Sequence, residues 1–169
     1  MSALHPTDAD ETPRVTAEAL VANWAPSDRP PHRREPVPLC AISTEENLGS
    51  GPPDLRIDFL LSDAQAAQGE GKIAPSLESY EMGVRSSIGT QRAYLWFSCE
   101  SNRLNGSDRT PAYVLGQVEA RSAPEGDEGR LKDANATLVH SASTAVAREL
   151  GCAEGAGLGE KPVTKNPRT

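Results

Sequence analysis

Three short segments of this chain alternate apolar and polar side chains with a period of two, and no other feature limits the possible folds as tightly. In LRIDFLLS, Leu55, Ile57, Phe59 and Leu61 fall on one side, and Arg56 and Asp58 on the other. In RAYLWFSCES, Ala93, Leu95, Phe97 and Cys99 share one side, while Tyr94, Trp96, Ser98 and Glu100 share the opposite one. AYVLGQVEAR gathers Val114, Gly116, Val118 and Ala120 in the same way. Period two is the pattern of a strand with one buried face. The second and third segments are separated by NRLNGSDRTP, whose Asn105-Gly106 pair suits a turn with positive φ. They read as an antiparallel hairpin with a long loop.

A period of 3.6 replaces the period of two only late in the chain. The stretch GRLKDANATLVHSASTAVARELGC predicts one long helix. Asp127 and Glu128 precede it, where negative charge favours the positive end of the helix dipole, and Gly151 supplies a left-handed stop after Leu150. Leu131, Ala134, Leu138, Val139, Ala142, Ala145, Val146 and Leu150 form an alanine-rich stripe that would lie close against the sheet. Asn135 and Glu149 intrude near its ends. The intervening segment 63–91 reads mainly as loop, with a short strand or helix around Tyr80–Val84.

The flanks carry less. WAPSDRPPHRREPVP holds five prolines between Pro26 and Pro38, which lock φ and remove backbone donors, so it reads as an extended linker. Before it, VTAEALVANWA permits a short amphipathic helix with Leu20, Val21 and Trp24 on one face. AEGAGLGEKPVTKNPRT, after Cys152, has almost nothing to bury. Apolar residues make up 37% of the 169 and aromatics 4%, whereas an average domain is roughly 45–50% apolar by a count that includes glycine. The expected organisation is therefore a Pro-rich, largely disordered segment 1–37, a small α+β domain over 38–152, and a disordered tail 153–169. The fold class is a short antiparallel sheet with the long C-terminal helix packed on one face.

Net charge is −7, which offers no basic face to nucleic acid or to an anionic membrane. No stretch approaches the ~20 consecutive apolar residues of a membrane span. MSALHPTDADETPRV lacks the basic and apolar regions of a signal peptide, and as it stands it points to the cytoplasm.

Chemistry is sparse. Cys152 follows a helix C-terminus, where the dipole opposes a thiolate, and Cys99 sits on an apolar strand face, so neither reads as a nucleophile. There is no C-x-x-C and no H-E-x-x-H, and no metal or cofactor is expected. His5 and His32 lie in the N-terminal segment, and His140 falls on the polar face of the helix as a solvated side chain. The glycine clusters at 69–71 and 155–159 do not join a strand to a helix, as a phosphate cradle would. The pairs Glu45 with Glu46 and Glu78 with Glu81 read as solvated carboxylates, and the Asn-x-Ser/Thr sites at Asn105 and Asn135 as chance matches. No catalytic residue is assigned.

The strand ending in Cys99 and the helix ending before Cys152 each have one apolar face to hide and should pack together. A disulfide between them would pin the helix end to the sheet; closing that loop of about 53 residues would contribute roughly 4 kcal/mol. The alternative is a pair of buried thiols in a reducing compartment. Cys40 is then a third, odd cysteine, free, lacking its partner, or competing for Cys99.

The pattern MGVRSSIGTQRAYLWFSCES, PAYVLGQVEA and DANATLVHSASTAVARELGC is similar to that of uncharacterised actinobacterial (streptomycete-type) cell-envelope proteins, over about residues 80–152. In these a hydrophobic strand ends in cysteine and a late alanine-rich helix ends in LGC. The resemblance implies an outward-facing α+β domain in an oxidising compartment. It brings no catalytic residues, and the N-terminal membrane anchor usual in such proteins has no counterpart here. The functional expectation is a non-catalytic binding or interaction module of the envelope. Its surface would be the second sheet face, where Tyr94, Trp96, Tyr113 and Leu115 gather, unless segment 63–91 or the N-terminal helix covers it. Two alternatives stand beside it: a small hydrolase using acidic residues or His140, and a cytoplasmic protein acting through its Pro-rich segment 26–38 as a ligand for an aromatic groove.

Overall fold

The computed structural model of the chain describes residues 11–24, 35–47, 51–69 and 74–165. Strand β1 (Val37–Ile42) is followed by β2 (Leu55–Ser62), β3 (Arg85–Ile88), β4 (Arg92–Cys99) and β5 (Ala112–Ala120). Helix α1 (Glu11–Asn23) precedes the sheet, α2 (Ala64–Gln68) follows β2, and α3 (Glu128–Leu150) follows β5. The strands form one antiparallel sheet in the order β1-β2-β5-β4-β3. The fold is α+β, with α3 packed on one sheet face.

The three alternating segments become the centre of the sheet. Ile57, Phe59 and Leu61 of β2, Ala93, Leu95, Phe97 and Cys99 of β4, and Val114 and Val118 of β5 are all buried beneath the helices. The β4–β5 connection turns at Gly106 with φ of 83°, as its Asn-Gly pair requires. Both edge strands escaped the alternation signal. β1 is six residues long and contains Pro38, which an edge tolerates because one side of its backbone needs no ladder partner. The Pro38 carbonyl instead accepts from Thr16 Oγ1 of α1 at 3.1 Å. β3 starts at Arg85, just beyond the expected Tyr80–Val84, because Gly83 turns the chain first. At Gly83 (φ 60°) a Cβ would lie 2.4 Å from the Trp96 carbonyl oxygen, so only glycine fits.

Helix α3 starts and stops where its caps place it. The Asp127 carboxylate accepts from the Arg130 N–H at 2.9 Å, and Gly151 adopts φ of 71° with its N–H returned to the last turn. Its buried stripe is turned by roughly a quarter of the helix circumference from the expected one. Ala136, Val139, Ser143, Val146, Ala147 and Leu150 are buried, while Leu138 is 40% exposed and Ala134 is exposed. The helix packs on three sides rather than one, touching the sheet, α1 and the segment after Cys152. Small and polar side chains occupy those contacts. Ser143 crosses the sheet over Gly116, and the Asn135 amide donates to the carbonyls of Gly89 and Thr90 at 2.8 and 3.0 Å.

The ordered unit extends beyond 38–152 at both ends. Ala17 and Leu20 of α1 are fully buried, and α1 lies beside α3 and against β1 and β2. The Trp24 indole donates to the Asn105 carbonyl at 2.9 Å. After Cys152, a stretch expected to have nothing to bury places Ala156 and Leu158 in the core and Val163 against it. The proline-rich expectation falls mostly on 25–34, outside the described residues, as do 1–10 and 166–169.

Candidate functional site

Cys99 ends β4 and Cys152 follows α3, and the burial of one sheet face under that helix brings their Cα atoms to 4.9 Å. They form a disulfide across a sequence separation of 53 residues. Cys99 is fully buried and Cys152 half-buried. The junction is closed further by Ala153 N–H donating to the Glu100 carbonyl at 2.9 Å and by Ser101 Oγ donating to the Leu150 carbonyl. Cys40 is a free, half-buried thiol on the edge strand, at the irregularity between Pro38 and Cys40.

The second sheet face carries the expected aromatic group. In register, Trp96 stands opposite Leu115, Ser98 opposite Tyr113 and Tyr94 opposite Gln117. The Tyr94 and Trp96 rings are 6.1 Å apart and tilted. All four predicted residues, Tyr94, Trp96, Tyr113 and Leu115, are half-buried. Helix α1 lies on the other face, with α3. Part of segment 63–91 does reach this one: Gln68 of α2 lies 3.5 Å from the Tyr113 hydroxyl, and the Arg85 guanidinium sits 5.1 Å above the Trp96 ring while donating to the Ala66 carbonyl at 3.1 Å. Under that cover the Trp96 indole nitrogen is buried with no hydrogen-bond partner, while the ring as a whole stays partly exposed. An unmet donor of that kind costs about 1–3 kcal/mol.

Beyond the aromatics the same face becomes ionic. Arg56 meets Asp58 at 2.7 Å and Glu119 at 3.0 Å, and Arg92 reaches the other Glu119 oxygen at 3.2 Å. Alternation predicted the outward direction of Arg56 and Asp58. It gave no sign that Glu119 would join them, because that contact depends on the β2–β5–β4 order.

His140 is the main departure from expectation. It is 3% exposed rather than solvated, and its Nε2–H donates to the Leu158 carbonyl at 3.0 Å. The missing signal was the return of the chain along α3. Two further buried polar groups lie under that return: the Tyr80 hydroxyl donates to Asp133 Oδ1 at 2.9 Å, and the Lys165 N–H donates to the same oxygen at 3.0 Å. Burial, reinforced by the bond to Asp133, pushes the Tyr80 phenol well above its ordinary 10.0. The unfolded chain therefore loses this proton first. The stability contributed by this group is intact below about pH 10 and is lost as pH rises beyond it. In an absorbance titration, one of the three tyrosines should ionise last, together with unfolding, and Tyr80→Phe should delete that step.

The remaining candidates do not converge. Glu45, Glu46, Glu78 and Glu81 are exposed, and Asn105 is exposed on its loop. Asn135 is buried with its amide engaged, which removes it as a glycosylation acceptor in the folded chain. Gly69 caps α2, its neighbours 70–71 lie outside the described residues, and 155–159 follow a helix rather than opening one. A pocket of about 520 Å³ is lined by Glu100, Ser101, Asn102, Asp108 and their neighbours at the β4–β5 loop. Among the described residues no three His, Cys, Asp or Glu side chains are grouped to hold a metal, and no helix is long and apolar enough to cross a membrane. No protein-family model, curated protein or solved structure matches the chain.

Proposed function

We propose that the chain is a non-catalytic binding module of the cell envelope and that it meets its partner with the second face of the sheet. The observation that carries this reading is the band of Tyr94, Trp96, Tyr113 and Leu115 on β4 and β5, half-covered and bordered by the Arg56–Asp58–Glu119–Arg92 row. Aromatic side chains beside arginine are the composition of recognition surfaces, the ring supplying area at low entropic cost and the charge supplying orientation. The disulfide supports an oxidising compartment, since such bonds persist outside the reducing cytosol.

Cross-linking capture from envelope fractions tests the reading, with the intact protein compared with Trp96→Ala and Leu115→Asp. Both variants should keep the far-ultraviolet circular dichroism of the parent and lose its specific partners. Unchanged capture by folded variants would remove the sheet face as the surface. A hydrolase reading has less support, because His140 is buried and its Nε2 is engaged by the Leu158 carbonyl.

A further inference from the structure

After Cys152 the chain makes a turn that L-residues seldom adopt. Glu154, Gly155, Ala156 and Gly157 all have positive φ, between 52° and 69°. For the two non-glycine residues this conformation costs roughly 1–2 kcal/mol each, so something beyond the turn must hold it. The holding contacts lie along the following eight residues, which run back beside α3 in the seam between that helix and segment 78–82. Leu158 is buried and its carbonyl faces His140. The Val163 N–H reaches Met82 Sδ at 3.4 Å. The Lys165 N–H donates to Asp133, and its ammonium donates to Glu78 and to the Ser79 carbonyl, both at 2.7 Å, while lying 4.6 Å from the centre of the Tyr80 ring. Lys132 supports Glu78 at 3.4 Å.

This is how a groove holds an extended peptide. Backbone groups are met singly by side chains, Leu158 and Val163 pack on the core, and one cation meets an acidic, aromatic end. Between these anchors Glu160 and Lys161 are exposed. The disulfide fixes the root of the segment, so the segment can leave without fraying α3. Gly155, Gly157 and Gly159, all at positive φ, give the hinge its freedom.

We propose that residues 158–165 are a displaceable intramolecular ligand, and that the seam beneath them is a docking groove for an extended peptide bearing a leucine-sized side chain and a lysine seven residues later. Glu78 supplies the charge that selects the lysine of such a partner, Asp133 accepts from its backbone N–H, and the tethered strap competes with it at an effective concentration on the order of millimolar. The inference does not rest on the sheet-face reading, because the groove lies on the α3 side of the sheet.

The test uses the full-length protein and a fluorescein-labelled synthetic peptide of sequence LGEKPVTK. Lys165→Glu should raise amide exchange across 158–165 at least tenfold with α3 unchanged, and should bind the peptide at least ten times more tightly than the parent by fluorescence anisotropy. Adding Glu78→Lys, which removes the acid that the peptide lysine meets and restores an opposite-charge pair for the strap, should abolish that gain. An opened strap without tighter peptide binding would overturn the groove. A strap that stays protected in Lys165→Glu would overturn the lysine as its clasp.

Discussion

Loss of the Cys99–Cys152 bond should lower the stability of the folded chain by about 4 kcal/mol, the entropy of closing a 53-residue loop. Typical domain stabilities are about 5–15 kcal/mol, so most of the margin of a chain this poor in apolar residues would go. Cys152→Ser, rather than Cys99→Ser, isolates the effect: Cys152 is half-buried, whereas a hydroxyl at the fully buried Cys99 would add a desolvation cost of its own. The expected observation is a urea midpoint moved down by the same amount in Cys152→Ser and in the reduced parent. A shift under 1 kcal/mol would mean that the β4–α3 junction is held by its other contacts, such as Ala153 to Glu100 and Ser101 to Leu150.

The second large effect should come from Gly116, where α3 crosses the sheet. A Cβ there would lie 2.7 Å from Ser143 Oγ and 2.8 Å from Phe59 Cε1. Glycine-to-alanine exchange in a strand normally gains about 0.4–1 kcal/mol through the unfolded chain, but overpacking costs about 1–3 kcal/mol and here wins. Gly116→Ala should therefore destabilise by about 2 kcal/mol. Ser143→Ala should be neutral or slightly stabilising, because its buried hydroxyl has no partner. The double variant should recover about 1 kcal/mol of the loss, since one of the two contacts has gone. Strict additivity of the two substitutions would show that helix and sheet do not meet at this point.

These two sites show why part of the architecture was readable in advance. β2, β4 and β5 are long enough for alternation to stand out, and α3 carries Asp127 and Gly151 at its ends, so strand identity, hairpin and helix bounds followed from local rules. Cys99 and Cys152 became neighbours because each terminates an element that hides its apolar face on the other. The edge strands were illegible: β3 has only four residues, and β1 contains a proline. The orientation of α3 does not follow from a stripe that serves one partner, because Asp133 and His140 face the returning chain and Ser143 faces Gly116. That return has no periodic signal, since Ala156, Leu158 and Val163 are scattered through a glycine-rich stretch in a left-handed turn. The aromatic face was legible from alternation. Its partial cover by Arg85 and α2 depends on contacts that no local pattern announces.

The bond that joins sheet to helix carries most of the fold's margin and argues for an oxidising compartment. Peptide mapping of the natively produced protein under non-reducing conditions, with thiols blocked before digestion, addresses it directly. The expected result is a single linked pair containing Cys99 and Cys152, with Cys40 carrying the blocking group. Blocked thiols at both Cys99 and Cys152 would contradict it.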